Sequence, residues 1–229
     1  MTNTSTRPHF DRQLNALRDE ILLLGSRVQE ELKLALDALA ALNLDKAREV
    51  YAADRMVNKA RFDIEERCFS LIVTQQPAAR DLRVIMAAMH MIVDLERMGD
   101  QAKGIAKAIP QLMNDLAQPL PELKEMGELV GSMLRQALLA YAHANADLAR
   151  AVARQDDQVD ALYRRVFAAM MEQMATSGSA RKAEAAYELL RVARELERFG
   201  DLAANVAERT VYLVTGSLDE FNTDQTPVS

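Results

Sequence analysis

Two short acidic segments with nearly the same sequence lie about a hundred residues apart. The first runs from Asp94 to Asp100 (DLERMGD) and the second from Glu195 to Asp201 (ELERFGD). Each places a glutamate four residues before an aspartate, and residues four apart share one face of a helix. Like charges at this spacing cost about 0.2–0.5 kcal/mol per pair. A bound cation would offset this repulsion, so both segments are candidate metal sites.

A glycine precedes the aspartate in both segments. Gly99 and Gly200 stand in predicted helix interiors, where glycine costs about 1 kcal/mol relative to alanine. Each glycine lies three residues after the glutamate, on the same side of the helix. We therefore expect it to remove side-chain bulk where the two carboxylates converge.

A further pair of polar side chains is predicted to lie beside each acidic segment. Asp156 and Asp160 are four residues apart, and the corresponding earlier positions are Asp54 and Asn58. If each pair of helices forms an antiparallel hairpin, these positions reach the height of the acidic segments to within about 3 Å. Each hairpin then gathers up to four carboxyl or amide groups, facing a groove or the surface. The predicted metal ligands are Asp54, Glu96, Asp100, Asp156, Asp160, Glu197 and Asp201.

The predicted ligands are all hard oxygen donors. Such donors fit iron, manganese, magnesium or calcium better than a thiolate-type zinc site. A ferritin-like di-iron site would need Glu-x-x-His, and none of the three histidines follows a glutamate at that spacing. A plain solvated acidic face remains the alternative interpretation of the same residues.

Composition and charge exclude several classes of protein. Hydrophobic residues make up 49% and aromatic residues 5%, with no tryptophan, which favours helices over sheets. The net charge of −6 argues against binding nucleic acid through a basic face. No apolar run has the length of a membrane span, no secretory signal is evident, and the single Cys68 has no cysteine partner. We expect a cytoplasmic protein.

Apolar residues at helical spacing predict an all-α fold of six long antiparallel helices. Asn43 and Asn145 are 102 positions apart, and other pairs share this offset or one of 101, which indicates a duplicated three-helix unit. We predict a first unit over 9–110, a second unit over 120–216, and flexible tails at 1–8 and 217–229. Pro110, Pro119 and Pro121 are predicted to bound the connector between the units.

These motifs resemble those of the PhoU family of phosphate-uptake regulators. The resemblance rests on both acidic segments, their carboxylate partners and the QPAARDLR segment at 76–83, and it covers about residues 10–215. It implies two three-helix bundles side by side, with surface metal clusters on the seven predicted ligands. The implied metal is multinuclear iron, with manganese, magnesium, calcium or zinc as other candidates.

The resemblance also implies a regulatory role without catalysis. Members act at the cytoplasmic side of the high-affinity phosphate ABC transporter, peripheral to the membrane. They contact the phosphate-regulon sensor histidine kinase and repress the starvation response when phosphate is plentiful. A homodimer is compatible with the family. Two other functions stay open: a metal-dependent phosphohydrolase, for which no His, Ser or Lys near the acidic segments would serve as base or nucleophile, and a helical scaffold without metal.

The first unit departs from the family pattern at two positions. Asn58 replaces the aspartate often found there, and Gly104 replaces the asparagine that the second unit keeps as Asn205. An amide carries no charge and cannot bridge two metals as a carboxylate can. We therefore expect the first site to bind metal more weakly than the second.

Overall fold

The computed structural model describes residues 8–113 and 120–216, and within these ranges the chain forms seven helices and no strand. Their bounds are α1 Pro8–Ala40, α2 Leu44–Gln75, α3 Ala79–Met113, α4 Pro121–His143, α5 Ala146–Ala153, α6 Asp156–Thr176 and α7 Ala180–Thr215. The all-α prediction is confirmed. None of the helices in these ranges is both long and apolar enough to cross a membrane.

Side-chain caps and left-handed residues fix the turns between the helices. Asn43 accepts hydrogen bonds from the backbone N–H groups of Asp45 and Lys46, at 2.9 and 3.0 Å. Asn145 accepts one from Leu148 at 3.0 Å. Both asparagines satisfy N–H groups that a helix start leaves unpaired. The duplicated asparagines therefore begin α2 and α5 at equivalent places.

Two local features differ from the sequence-based expectation. The predicted fifth helix is interrupted at Arg154 and Gln155, whose tight 3₁₀-like turn separates α5 from α6. Pro110 does not end α3, which continues to Met113. Because proline has no N–H, this exposed residue costs the helix only one backbone hydrogen bond near its end. Leu112, two residues further on, is fully buried.

The two units pack side by side through their acidic helices. Helices α1, α2 and α3 form the first unit, α4 to α7 form the second, and α3 against α7 is the most extensive contact between helices. Glu195, near the middle of α7, lies over Gly104, in the last third of α3, while Arg209, late in α7, acts electrostatically on Asp94, near the middle of α3. The helices α3 and α7 are therefore antiparallel.

The predicted apolar stripes form one continuous core. Leu17, Ile21, Leu95, Leu196 and Phe199 are at most 2% exposed and belong to the same cluster of buried side chains. The predicted unit boundaries remain predictions. Of the two predicted tails, 1–7 and 217–229 lie outside the described residues, whereas position 8 begins α1.

Candidate metal centres

In the first unit, the predicted ligands from α2 and α3 meet around a lysine. We call Asp54, Asn58, Glu96 and Asp100 the first acidic group. The ammonium of Lys103 lies 2.8 Å from Oδ2 of Asp54 and 2.6 Å from Oδ1 of Asp100. Nδ2 of Asn58 donates a further hydrogen bond to Oδ2 of Asp54 at 3.2 Å. The hairpin thus brings the α2 and α3 residues to one level, as predicted from their spacing.

Lys103 is held firmly as a cation. Its side chain is 19% exposed and that of Asp54 only 7%, so the contact between them is largely shielded from water. Burial alone would lower the pKa of Lys103, but hydrogen bonds to Asp100 and Asp54 outweigh it and raise the pKa above its ordinary value. The lysine is a charged partner of the carboxylates.

A fourth acidic side chain lies beneath the first acidic group. Glu31 on α1 is fully buried, and neither of its carboxyl oxygens has a hydrogen-bond partner. Burial raises its pKa from 4.5 to about 8; Asp54 adds to the rise and Lys103 opposes it. The sequence reasoning missed Glu31, although it occupies a place in the apolar stripe of α1, three residues after Val28 and four before Ala35.

In the second unit, the predicted ligands gather without a lysine. We call Asp156, Asp160, Glu197 and Asp201 the second acidic group. Asp160 raises the pKa of both Glu197 and Asp201, which shows that α6 brings it close to the α7 pair. Asp156 is 8% exposed and begins α6 immediately after the interruption.

A pair of amides fixes the interruption before Asp156. Nε2 of Gln155 donates to Oε1 of Gln136 on α4 at 3.2 Å, and Nε2 of Gln136 donates back at 3.4 Å. Nε2 of Gln155 also lies 3.4 Å from the carbonyl oxygen of Ala151. The first aspartate of the second group is therefore anchored to α4 through its neighbour.

Three carboxylates of the two groups have a raised pKa. Burial raises the pKa of Glu96, Glu197 and Asp201 above their ordinary values, and neighbouring carboxylates raise them further. For Glu96 the main such neighbour is Asp100, for Glu197 it is Asp201, and for Asp201 it is Asp160. A cation entering such a group would relieve repulsion and displace protons.

The glycines of the acidic segments face the core, contrary to our expectation that they make room at the carboxylates. A Cβ on Gly200 would stand 3.4 Å from methyl groups of Val130 and Val159. A Cβ on Gly99 would stand 3.1 Å from Oε2 of Glu31 and 3.3 Å from Cγ1 of Val57. The face that they occupy is buried, so a Cβ on Gly99 would crowd its neighbours, whereas a Cβ on Gly200 would make ordinary contacts.

The first residue of each acidic segment belongs to the contact between the units. Burial raises the pKa of Asp94 to about 6, against the opposing charge of Arg209 across the contact. Burial also raises the pKa of Glu195, whose carboxyl lies against Gly104. The first residue of each acidic segment thus packs between the units, while the glutamate and the last aspartate of the segment belong to a candidate metal site.

The two groups differ in how well they fit a metal ion. Within the described residues, no three His, Cys, Asp or Glu side chains converge closely enough to form a finished ligand shell. The second acidic group nevertheless offers four carboxylates, and Oε2 of Glu197 is buried without a hydrogen-bond partner. Rotation of exposed side chains such as Asp201 would close such a set around a hard cation. In the first group, Lys103 and Asn58 already point donors at Asp54, so the group does not fit a metal as it stands.

Comparison with known families gives a match over most of the chain. A family model described as "PhoU domain" matches twice, over residues 21–109 and 123–210. The phosphate-specific transport system accessory protein PhoU homolog of Clostridium acetobutylicum is 36% identical over 219 residues, which cover 95% of this chain and 99% of that protein. The protein of the same name from Streptococcus pneumoniae is 37% identical over 221 residues, covering 94% and 100%.

Solved structures agree in fold. The crystal structure of the phosphate transport system regulatory protein PhoU from Streptococcus pneumoniae superposes with a TM-score of 0.84 at 35% identity, covering 93% of this chain and all of that one. The crystal structure of PhoU from Pseudomonas aeruginosa gives a TM-score of 0.86 at 33% identity, covering 91% of this chain and all of that one.

Proposed function

The chain belongs to the PhoU family, and we propose that it is a regulatory accessory protein of a phosphate-specific transport system. The observation that carries this proposal is the double match to the PhoU domain, together with relatives of that name along nearly their whole length. The relatives are named as accessory proteins, and this role needs a binding surface but no reaction centre.

The finer proposal concerns where and how the protein acts. It binds the cytoplasmic side of the phosphate ABC transporter, peripheral to the membrane, and it contacts the sensor histidine kinase of the phosphate regulon. Through these contacts it lowers uptake and the starvation response when phosphate is plentiful. Self-association as a homodimer is a further expectation, which sedimentation of the purified protein would test.

The second acidic group is the proposed metal centre. Asp156 and Asp160 from α6 and Glu197 and Asp201 from α7 would hold a hard cation, multinuclear iron first, with manganese, magnesium, calcium or zinc as alternatives. When bound, the metal would supply positive charge that links the two helices. That Asp54, Glu96 and Asp100 bind metal as well remains a prediction, against which the contacts of Lys103 argue.

We propose that the protein is not an enzyme. Lys103 lies within the first acidic group, three residues after Asp100. Two carboxylates hold its ammonium, and the raised pKa keeps it protonated, so it is no free base. Purified protein loaded with iron or manganese should release no phosphate from phosphoesters, and turnover lost with Glu197→Gln would favour the hydrolase instead.

The regulatory proposal is tested in cells. The chain is expressed in a strain that lacks its own regulator and carries a phosphate-responsive reporter. We expect reporter activity to fall in rich phosphate and to stay high in starved cells. Persistently high activity in rich phosphate, with the protein present and folded, would contradict the regulatory role.

A further inference from the structure

We propose that Lys103 takes the place of a metal ion in the first unit, so that an internal cation joins α2 to α3 there and only the second unit binds metal. Only the statement that the second unit binds metal rests on the proposed metal centre. The division of roles between the duplicated units follows from side chains in which they differ.

The position of the ammonium is that of a bridging cation. Lys103 lies on α3 and contacts Asp54 on α2 and Asp100 on its own helix, at 2.8 and 2.6 Å. A metal ion linking the same two helices would have to compete with the ammonium charge between these carboxylates. Oδ2 of Asp54 already accepts from both Lys103 and Asn58, whereas its Oδ1 is buried without a hydrogen-bond partner.

The buried carboxyl of Glu31 beside this cation is a further difference between the units. Its carboxyl is fully buried, lacks a hydrogen-bond partner, and interacts electrostatically with Asp54, Lys103 and Asp100. The equivalent position in the second unit, 102 residues later, is the apolar Met133. The first unit therefore has an acid and a base at positions where the second unit has neither.

The second unit has no counterpart of Lys103, Asn58 or Glu31. Ala204, which is 101 residues after Lys103, is 2% exposed and carries no charge. Asp160 stands where the first unit has Asn58. The cation that contacts Glu197 is Arg194, at 3.4 Å; its side chain is 49% exposed and lies over the ring of Tyr163, 5.6 Å from the centroid. The second group thus has four carboxylates where the first has three.

Metal counting on variants with one intact unit tests the inference. Glu197→Ala with Asp201→Ala silences the second unit, and adding Lys103→Ala and Asn58→Asp gives the first unit the side chains of the second at these two positions. Each folded chain is loaded with Mn²⁺, desalted and analysed for metal. We expect the wild type to bind metal, the silenced chain to bind none, and the chain with the restored first unit to bind it again. Metal bound by the silenced chain while Lys103 is intact would overturn the inference.

Thermal unfolding in chelator gives a second readout that does not depend on the second unit. Lys103→Met keeps the aliphatic stem but removes the charge, and Lys59→Met is the matched control at a lysine whose side chain is 71% exposed. We expect Lys103→Met to lower Tm by about 2–4 °C or more and the control to leave it unchanged. Equal Tm values for both variants would overturn the internal bridge. A wild type without metal would refute the metal centre alone, and the Tm comparison would still decide the role of Lys103.

Discussion

The carboxyl group of Glu195 on α7 lies directly against Gly104 on α3. A Cβ added to Gly104 would stand 2.7 Å from Cδ and 2.8 Å from Oε1 of the glutamate, closer than side-chain contacts allow. The second unit carries Asn205 at the equivalent position, where the side chain is exposed. Any side chain at position 104 would therefore require the carboxyl end of Glu195 to move.

This contact predicts the effect of restoring the asparagine. Gly104→Asn should lower the free energy of unfolding by about 1–3 kcal/mol, because the new side chain must displace Glu195 from a packed contact. Urea unfolding measures the change. Gly131→Ala is the control, since its Cβ would stand 3.6 Å from Leu32 and should raise stability by up to about 1 kcal/mol through helix propensity. A Gly104→Asn chain as stable as the wild type would show that Glu195 moves aside freely and that its contact with Gly104 contributes little to stability.

The glycines of the two acidic segments should respond differently to alanine. Gly200→Ala makes only ordinary contacts, at 3.4 Å with Val130 and Val159, and should gain up to about 1 kcal/mol of stability. Gly99→Ala should gain nothing or lose stability, because its Cβ would stand 3.1 Å from Oε2 of Glu31. In a Glu31→Ala background the Gly99→Ala gain should return. Equal gains at both glycines in the wild-type chain would refute the position of Glu31.

Removing the α7 carboxylates should separate metal binding from folding. Glu197→Ala with Asp201→Ala should abolish metal binding, yet without metal it should leave stability nearly unchanged, because it also removes like-charge repulsion. Leu196→Ala, one residue away and fully buried, should cost about 2–5 kcal/mol. Elemental analysis and unfolding in chelator measure both effects. Should the double variant unfold as readily as Leu196→Ala, the carboxylates would be structural.

Much of this architecture could be predicted from local patterns. Apolar spacing fixes which face of each helix is buried, and the asparagines at 43 and 145 mark equivalent helix starts. Heights counted from the hairpin turns correctly brought Asp54 to the level of Asp100, because helix rise is constant. These features depend only on neighbours in the sequence.

What could not be predicted depends on contacts between helices. A lysine three residues after Asp100 indicates a surface pair, and only the position of α2 shows that it also binds Asp54. The interruption before Asp156 is stabilised by the exchange of amide hydrogen bonds between Gln155 and Gln136, which are 19 residues apart. Gly104 could be identified as a departure from the expected pattern, but the carboxyl of Glu195 that lies against it comes from the other unit.

The pH dependence of stability provides a test of the buried carboxyl of Glu31. Its pKa is raised from 4.5 to about 8, chiefly by burial and then by Asp54, while Lys103 opposes the shift. The folded chain therefore keeps a proton that the unfolded chain releases above pH 4.5. The contribution of Glu31 to the free energy of unfolding is therefore largest below pH 4.5. It declines as the pH rises from there towards 8, by about 1.4 kcal/mol for each unit of pKa difference.

Glu31→Gln should remove this decline, because an amide of the same shape cannot ionise. In chelator, wild type and variant should differ little near pH 5, and by pH 8 the variant should be more stable by several kcal/mol. The two chains are best compared between pH 6 and 8. Below pH 6 the titration of Asp94, whose pKa is raised to about 6, makes the stability of both chains depend on pH. Glu30→Gln, at the exposed neighbouring position, should follow the wild-type curve. Parallel curves for Glu31→Gln and wild type would mean that Glu31 ionises freely and is not enclosed beneath the first acidic group.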